Sequence, residues 1–322
     1  MAAIAITGAT GFLGGAICRR LLAQGQPVVA LGRDQGKLAA LEALGAHTVR
    51  NDLAGGPPRE AGELSAVVHC AALSSAWGPR AAFHASNVGG TFSALRFARA
   101  AGAKRFVHIS TPSLYFRFQD QPGVKEDVPL PTPVNAYAAT KGEAERIVRA
   151  ETGLDPVILR PRGIYGAGDT ALLPRLLRAA QAGPLPLIRG GRAETDLTHV
   201  DDVVSAVLAA LSAPAGMTQC IFNISGGEPL PVRQIADSAA LHAGLAVRWR
   251  PMPAGIVLAA ARALEAAAYL HPERPEPRIT AYGAGLFAFT QTLDLAAARQ
   301  QLGWAPRIGF EEGLALTFGR RP

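Results

Sequence analysis

Ile4-Ala5-Ile6-Thr7-Gly8-Ala9-Thr10-Gly11-Phe12-Leu13-Gly14 is the stretch that decides the fold class of this chain. An apolar run of strand length ends in glycines spaced GxxGxxG, and an amphipathic helical pattern follows. Glycines in such a turn let the backbone pass close to a bound group. The N-terminus of the next helix offers oriented N–H groups and positive potential. Strand, tight turn and helix in this order predict the opening unit of a dinucleotide-binding sheet. Thr7, Gly8, Thr10, Gly11, Phe12, Leu13 and Gly14 are the candidate cofactor residues of this loop. A plain tight turn could carry the same glycines, but the alternation downstream argues against it.

From there, short apolar runs alternate with longer amphipathic stretches. Strands are predicted at 4–7, 28–31, 48–50, 66–70, 105–110 and 156–160, and helices at 13–24, 35–44, 87–101 and 136–151. That alternation implies a parallel, doubly wound Rossmann-type α/β sheet with helices on both faces and right-handed crossovers. After about residue 160 the regular alternation is lost. We therefore expect residues 1–165 to be mainly the dinucleotide-binding domain and 166–322 mainly a smaller C-terminal substrate-binding lobe, with segments around 195–225 returning to the main domain. Proline-rich segments at 129–133, 184–186 and 251–253 mark loops.

Composition bounds the function. The 322 residues are 49% hydrophobic, 18% charged and 6% aromatic, which describes a globular chain able to bury a large core. The formal charge of +7 does not read as nucleic-acid binding, because the arginines are scattered and no finger or RNA-binding motif accompanies them. It suits an anionic cofactor. Cys18, Cys70 and Cys220 are odd in number and far apart, which fits a reducing, cytoplasmic setting and no metal cluster. No secretory signal is read at the N-terminus. The most apolar segment, 254–270, carries Arg262 and Glu265 and is short for a membrane span, so an amphipathic helix packed on the protein is expected rather than a span or peripheral attachment. A homodimer is left open.

Tyr137-Ala138-Ala139-Thr140-Lys141 supplies the chemistry. A Tyr and a Lys four apart on a helix share a face. A nearby ammonium favours the phenolate, so Lys141 is expected to bring the Tyr137 phenol down towards its working range. The end of the second strand selects the cofactor. An NAD site commonly has an acid there for the ribose hydroxyl, whereas this chain has Gly32 and Arg33, which suits a 2′-phosphate. NADP(H) is therefore expected, with NAD(H) still open. Asp52 and Leu53, after the third strand, are candidates for the adenine.

These motifs resemble the extended short-chain dehydrogenase/reductase family over nearly the whole chain. The stretch 7–15 resembles its cofactor loop, His69-Cys70-Ala71-Ala72 its fourth-strand signature, and Asn87-Val88-Gly89-Gly90-Thr91 its NVxGT helix start. His108 to Ser113 resembles the catalytic Ser/Thr strand, and 159–169 the LRPxxxYGxGD segment, which includes Pro161. Thr198-His199-Val200-Asp201-Asp202-Val203 and Phe222-Asn223-Ile224-Ser225-Gly226-Gly227 are further landmarks. The resemblance implies Thr111, Tyr137 and Lys141 as catalytic residues, with Asn87 ordering a water in a proton path. Ser110 and Ser113 compete with Thr111. It also implies that Ala71, Ala72, Tyr137, Lys141 and Pro161 line the cofactor. His108 and His199 read as satisfied core histidines. One departure is Tyr115-Phe116, where many members have Tyr-Gly.

Within the family, the chain resembles the 3β-hydroxysteroid dehydrogenase-like branch, including bacterial 2-alkyl-3-oxoalkanoate reductases. Thr195 stands where sugar-nucleotide enzymes commonly place an Arg for a diphosphate, so a pocket without that cation is expected. Trp77, Phe83, Tyr115, Phe116, Phe118 and the 254–270 helix are expected to form an apolar cleft. The resemblance thus implies reduction of an apolar steroid-like or long-chain 3-oxoacyl ketone, or oxidation of its alcohol. Two alternatives remain at this point: a sugar-nucleotide epimerase or dehydratase that keeps NAD bound, and a non-catalytic dinucleotide sensor, against which the intact Tyr/Lys pair argues.

Overall fold

The computed structural model describes residues 2–58, 62–271 and 274–319. Seven parallel strands form the central sheet. In spatial order they are Ile221–Ile224, Asp155–Pro161, Arg105–Ile109, Leu64–His69, Ala3–Thr7, Val28–Gly32 and His47–Arg50. The inner strands are apolar on both faces because both faces are covered; all five residues of Val28–Gly32 are buried. One face packs on Leu13, Ile17 and Leu21 of the helix Phe12–Ala23 and on Val203 and Val207 of the helix Val200–Ser212. The other packs on Leu95 and Ala98 of the helix Gly90–Ala100 and on Val148 of the helix Ala136–Arg149.

Strand order reverses between Ala3–Thr7 and Leu64–His69. A crevice opens above the carboxyl ends of strands at such a switch point. Gly8, Ala71 and the first turn of Phe12–Ala23 therefore sit at the mouth of one groove. The helix Ala136–Arg149 is capped at its start by the Asn135 side chain, which accepts from Ala138 N at 2.8 Å.

The expected helix at 87–101 starts differently. Residues His84–Gly89 form a π-helical stretch, and the α-helix proper begins at Gly90. The wider turn frees local backbone groups, and the Thr91 hydroxyl donates to Asn87 O at 2.6 Å.

The remaining chain builds small sheets. Leu230–Pro231, Glu194–Thr195, Gln291–Leu293 and Gln121–Val124 form a four-stranded one. Leu185–Ile188 pairs with Trp249–Met252, and Ile164–Tyr165 with Thr198–His199. The four-stranded sheet ties the loop after the Arg105–Ile109 strand to the C-terminal third of the chain. Among the described residues no helix is long and apolar enough to cross a membrane.

One buried guanidinium cross-links these parts. Arg160 Nε and Nη2 donate to Glu145 Oε1 and Oε2 at 2.8 and 2.5 Å, joining the Asp155–Pro161 strand to the helix Ala136–Arg149. Arg160 Nη1 donates to the Tyr115 hydroxyl, and that hydroxyl donates to Asn223 Oδ1 at 2.9 Å. Arg160→Met leaves Glu145 charged and unpaired in the interior, so it should destabilise by about 3–5 kcal/mol. Arg160→Met with Glu145→Leu should cost much less. Urea unfolding of both variants checks this; equal losses would contradict it.

Candidate active site

The glycine loop is shaped by close backbone approach. Gly8 has φ +68°, and a Cβ there would lie 2.8 Å from Ala71 N. A Cβ on Gly14 would lie 2.3 Å from Gly8 O, so helix and loop can close only without side chains. No side chain caps the helix start at Gly11, and its first turn holds no acid. Phe12, Leu13 and Gly14 form that first turn. The outward-facing N–H end fits an anionic pyrophosphate. Thr10 lies against Gly32, as a Cβ at 32 would come within 2.4 Å of Thr10 Cγ2. Thr7 is placed differently from the rest of the loop. Its side chain is fully buried, and its hydroxyl is taken by His69 Nδ1 at 2.7 Å and by the incoming Ala71 N at 3.3 Å. Only the Thr7 backbone is left for a ligand.

Arg33 stands at the rim, 75% exposed and 3.7 Å from Asp52. Such an exposed pair is worth little and leaves the guanidinium free to turn. Asp52 also accepts from Ala54 N at 3.2 Å, capping the short turn Leu53–Gly55. Leu53 is buried beneath it. Ala72 is exposed and Ala71 half-buried on the opposite wall, and Pro161 is buried at the end of its strand.

The hydroxyls converge. Tyr137 is half-buried, and its phenol hydrogen-bonds the Thr111 hydroxyl. Thr111 Oγ1 donates to Ser113 Oγ at 3.0 Å, and Ser113 Oγ lies 2.7 Å from the Tyr282 hydroxyl. Burial pushes the Tyr137 phenol up to about 12, the Thr111 bond works the other way, and Tyr282 adds to the rise. Ser110 is buried, and its hydroxyl has no partner.

Lys141 does not do what its spacing predicts. Its ammonium donates to Ile109 O at 2.6 Å and meets His108 Nε2 at 3.0 Å, so it faces the end of the Arg105–Ile109 strand. No lowering of the Tyr137 phenol comes from it. Burial itself lowers Lys141 to about 8, against the opposing pull of Glu145 and Cys70. His69, lowered to about 3 by burial and then by the Lys141 charge, is neutral, as is His108. The amide of Asn87 is also committed. It donates to Thr140 Oγ1 at 3.0 Å and Leu73 O at 3.2 Å and accepts from Leu73 N at 2.8 Å. Asn87 therefore braces the Leu73 loop against the helix Ala136–Arg149.

Two further expectations are corrected. Phe83, Tyr115 and Phe116 are core residues, at most 1% exposed, and not cleft walls. Trp77 packs at a tilt on Tyr269 of the helix Ala254–Leu270, ring centroids 4.5 Å apart, and Phe118 lies under the Arg262 guanidinium. Nor is the region around Thr195 without a cation, because Arg162 Nε donates to Thr195 Oγ1 at 2.9 Å. Sequence reasoning missed Tyr282 entirely. It lies 169 positions from Ser113, and no local pattern marks it. Its partner Phe116 could have hinted at it: the ring fills the space above Gly285 and packs edge-on to Tyr282 at 5.1 Å.

Residues 4–225 match the model of the NAD dependent epimerase/dehydratase family. The chain belongs to that family. A 2-alkyl-3-oxoalkanoate reductase of Stenotrophomonas maltophilia (strain K279a) is 33% identical, the match covering 97% of each chain. A 4-hydroxy-2-methyl-3-oxo-4-farnesyl-3,4-dihydroquinoline-1-oxide ketoreductase of Stigmatella aurantiaca is also 33% identical, over 96% of this chain and 93% of the relative. In fold, the chain is similar to a UDP-glucuronic acid 4-epimerase from Bacillus cereus in complex with NAD, with TM-score 0.75, 21% identity, and 99% and 96% of the two chains covered. This family member is a dehydrogenase/reductase that uses a nicotinamide dinucleotide.

In this epimerase/dehydratase-family site, Lys141 loses its charge near pH 8 while Tyr137, at about 12, stays protonated. kcat/KM for reduction should therefore fall as pH rises through about 8. A profile flat through that pH would contradict this.

Proposed function

We propose that the protein is an NADP(H)-dependent oxidoreductase interconverting a ketone and a secondary alcohol on an apolar, steroid-like or long-chain 3-oxoacyl substrate. The observation that carries this reading is the run of hydroxyls Tyr137–Thr111–Ser113–Tyr282, which starts at the same carboxyl edge of the sheet as the glycine loop. The names of the two relatives, both reductases of 3-oxo compounds, support the substrate class. The scattered cysteines support a cytoplasmic location. We assign residues 1–165 mainly to cofactor binding and 166–322 mainly to substrate binding, with the segments around 195–225 belonging to the main domain.

When bound, the dinucleotide supplies or accepts the hydride. Gly8, Gly11, Gly14 and the first turn of the helix Phe12–Ala23 would hold its pyrophosphate, with Arg33 at the ribose phosphate, Asp52 and Leu53 at the adenine, and Ala71, Ala72 and Pro161 at the nicotinamide end. Tyr137 holds a proton on Oη and gives it to the substrate oxygen. The raised phenol keeps that proton available across the physiological range. Ser113 with Tyr282 positions Thr111, which orients the phenol; its one hydroxyl proton, given to Ser113 in the free site, would turn to the same substrate oxygen when substrate binds. Lys141 fixes the strand end at Ile109 and supplies positive charge beneath the site.

Tyr137→Phe should abolish turnover while NADPH binding survives, because only the proton donor is removed. Wild-type-like turnover by that variant would sink the assignment. NADPH should bind more tightly than NADH, since charge-assisted contacts are worth roughly 1.5–3 kcal/mol, or about tenfold or more in affinity. Arg33→Ala should erase most of that preference. Equal dissociation constants in the unmutated protein would count against it.

A further inference from the structure

Tyr137 gives up a proton in every reduction and has to be reloaded before the next. Among the described residues, Lys141 and Asn87 make their hydrogen bonds elsewhere: the ammonium donates to Ile109 O at 2.6 Å, and the amide is held by Leu73 and Thr140. The Tyr137 phenol is bonded to the Thr111 hydroxyl, which is the first of a line. Thr111 Oγ1 donates to Ser113 Oγ at 3.0 Å, and Ser113 Oγ lies 2.7 Å from the Tyr282 hydroxyl. Thr111 and Ser113 are buried, whereas Tyr282 is half-buried. The line thus runs from the reacting phenol, through two enclosed hydroxyls, to a second tyrosine that is partly open to solvent.

Its chemistry suits proton transfer. A hydroxyl gives a proton and accepts one on the same oxygen, so each member can hand a proton on and end neutral. Both ends are phenols, so a negative charge leaving one is received by a group of the same kind. Packing holds the oxygens in line. Ser113 N donates to Thr111 Oγ1 at 3.2 Å. The Tyr282 ring packs edge-on to the buried Phe116, centroids 5.1 Å apart. Thr280 caps the helix Ala281–Ala288 that carries Tyr282, accepting from Gly283 N at 3.0 Å.

We propose that Thr111, Ser113 and Tyr282 form a proton relay that reloads Tyr137 from solvent while product still covers the open side of its phenol. This rests on the ketone/alcohol reading above, with Tyr137 as the proton donor. In reduction the Tyr137 O–H bond breaks and its proton ends on the substrate oxygen. The Thr111 hydroxyl then turns to the phenolate left behind. One proton moves from Thr111 to Tyr137, one from Ser113 to Thr111 and one from Tyr282 to Ser113. The charge now sits on Tyr282, which takes a proton from water or from a buffer acid. Every oxygen that gives a proton receives one, so the line returns to its starting state. In alcohol oxidation the protons run outwards, the direction in which Thr111 already donates to Ser113. Tyr282 acts only through Ser113 and Thr111.

The test uses the full-length protein oxidising a long-chain 3-hydroxy acid with NADP, in weakly buffered solution and again with added imidazole. The wild type should turn over at the same kcat in both. Tyr282→Phe keeps the ring on Phe116 and removes only the oxygen. Its kcat should fall about tenfold or more in weak buffer with KM little changed, and imidazole should restore most of the loss. Packing damage would lower kcat equally in both solutions, so a loss that imidazole does not repair overturns the relay, as does a wild-type kcat in weak buffer. Retained NADPH binding reports that the variant is folded. If Tyr282→Phe does not bind NADPH, Ser113→Ala decides on the same readout: a loss repaired by imidazole supports the relay, and any other result overturns it. A wild type active on the alcohol whose variants lack this buffer dependence leaves the ketone/alcohol reading standing. A wild type inert on long-chain 3-hydroxy acids and hydroxysteroids, with either dinucleotide, overturns that reading and the relay with it.

Discussion

The bidentate pair of Arg160 with Glu145 is the interaction on which the rest of the site's geometry depends. Glu145 lies one helical turn past Lys141 on the same face, so fixing it fixes the rotation of the catalytic helix about its axis. The same guanidinium stacks over Tyr115 at 4.7 Å, and through that hydroxyl it reaches Asn223 of the outermost strand. Asn223 Nδ2 in turn donates to Val124 O and Asp294 O. The strand Asp155–Pro161, the helix Ala136–Arg149, the segment from Tyr115 to Val124 and the C-terminal segment at Asp294 are thereby referenced to one buried charge. Such a pair adds little net stability over an apolar replacement. What it supplies here is a single allowed register between the helix bearing Tyr137 and the strand end bearing Thr111.

Much of this was legible in the sequence because it is local. The glycine loop, the alternating strands and helices and the Tyr/Lys face depend on spacings of a few residues, and the strand boundaries in the first half differ by only a residue or two. The exceptions have a common cause. Thr7 reads as a loop residue, but its side chain alternates into the interior and meets His69, 62 positions later. Asn87 reads as a polar residue near the site, yet the π-helical stretch aims it at Leu73 and Thr140. Tyr282 reaches Ser113, and Gln291 reaches Arg162, only after the C-terminal third folds back along the four-stranded sheet. Side-chain direction and long-range pairing are decided by packing, which a one-dimensional pattern does not carry.

The electrostatics of the interior follow from the same packing. Lys141, His108 and His69 are stacked behind the site, with the two imidazoles 5.3 Å apart. One proton is held there by the amine, and burial together with that charge keeps both rings neutral. His108 Nδ1 is left without a partner, a local cost borne next to the catalytic helix.

The contact between Gly32 and Thr10 carries a separate consequence. Both γ atoms of Thr10 stand within 2.7 Å of where a Cβ at position 32 would be built, and its own Cβ is 3.1 Å away. Any acid introduced at 32, at the strand end where a ribose diol would be read, therefore collides with the phosphate loop unless Thr10 moves as a whole. The two positions are epistatic. A lineage or an engineer altering the nucleotide preference meets less resistance by shrinking residue 10 before residue 32 grows, because the reverse order displaces Thr10 and the loop that carries it.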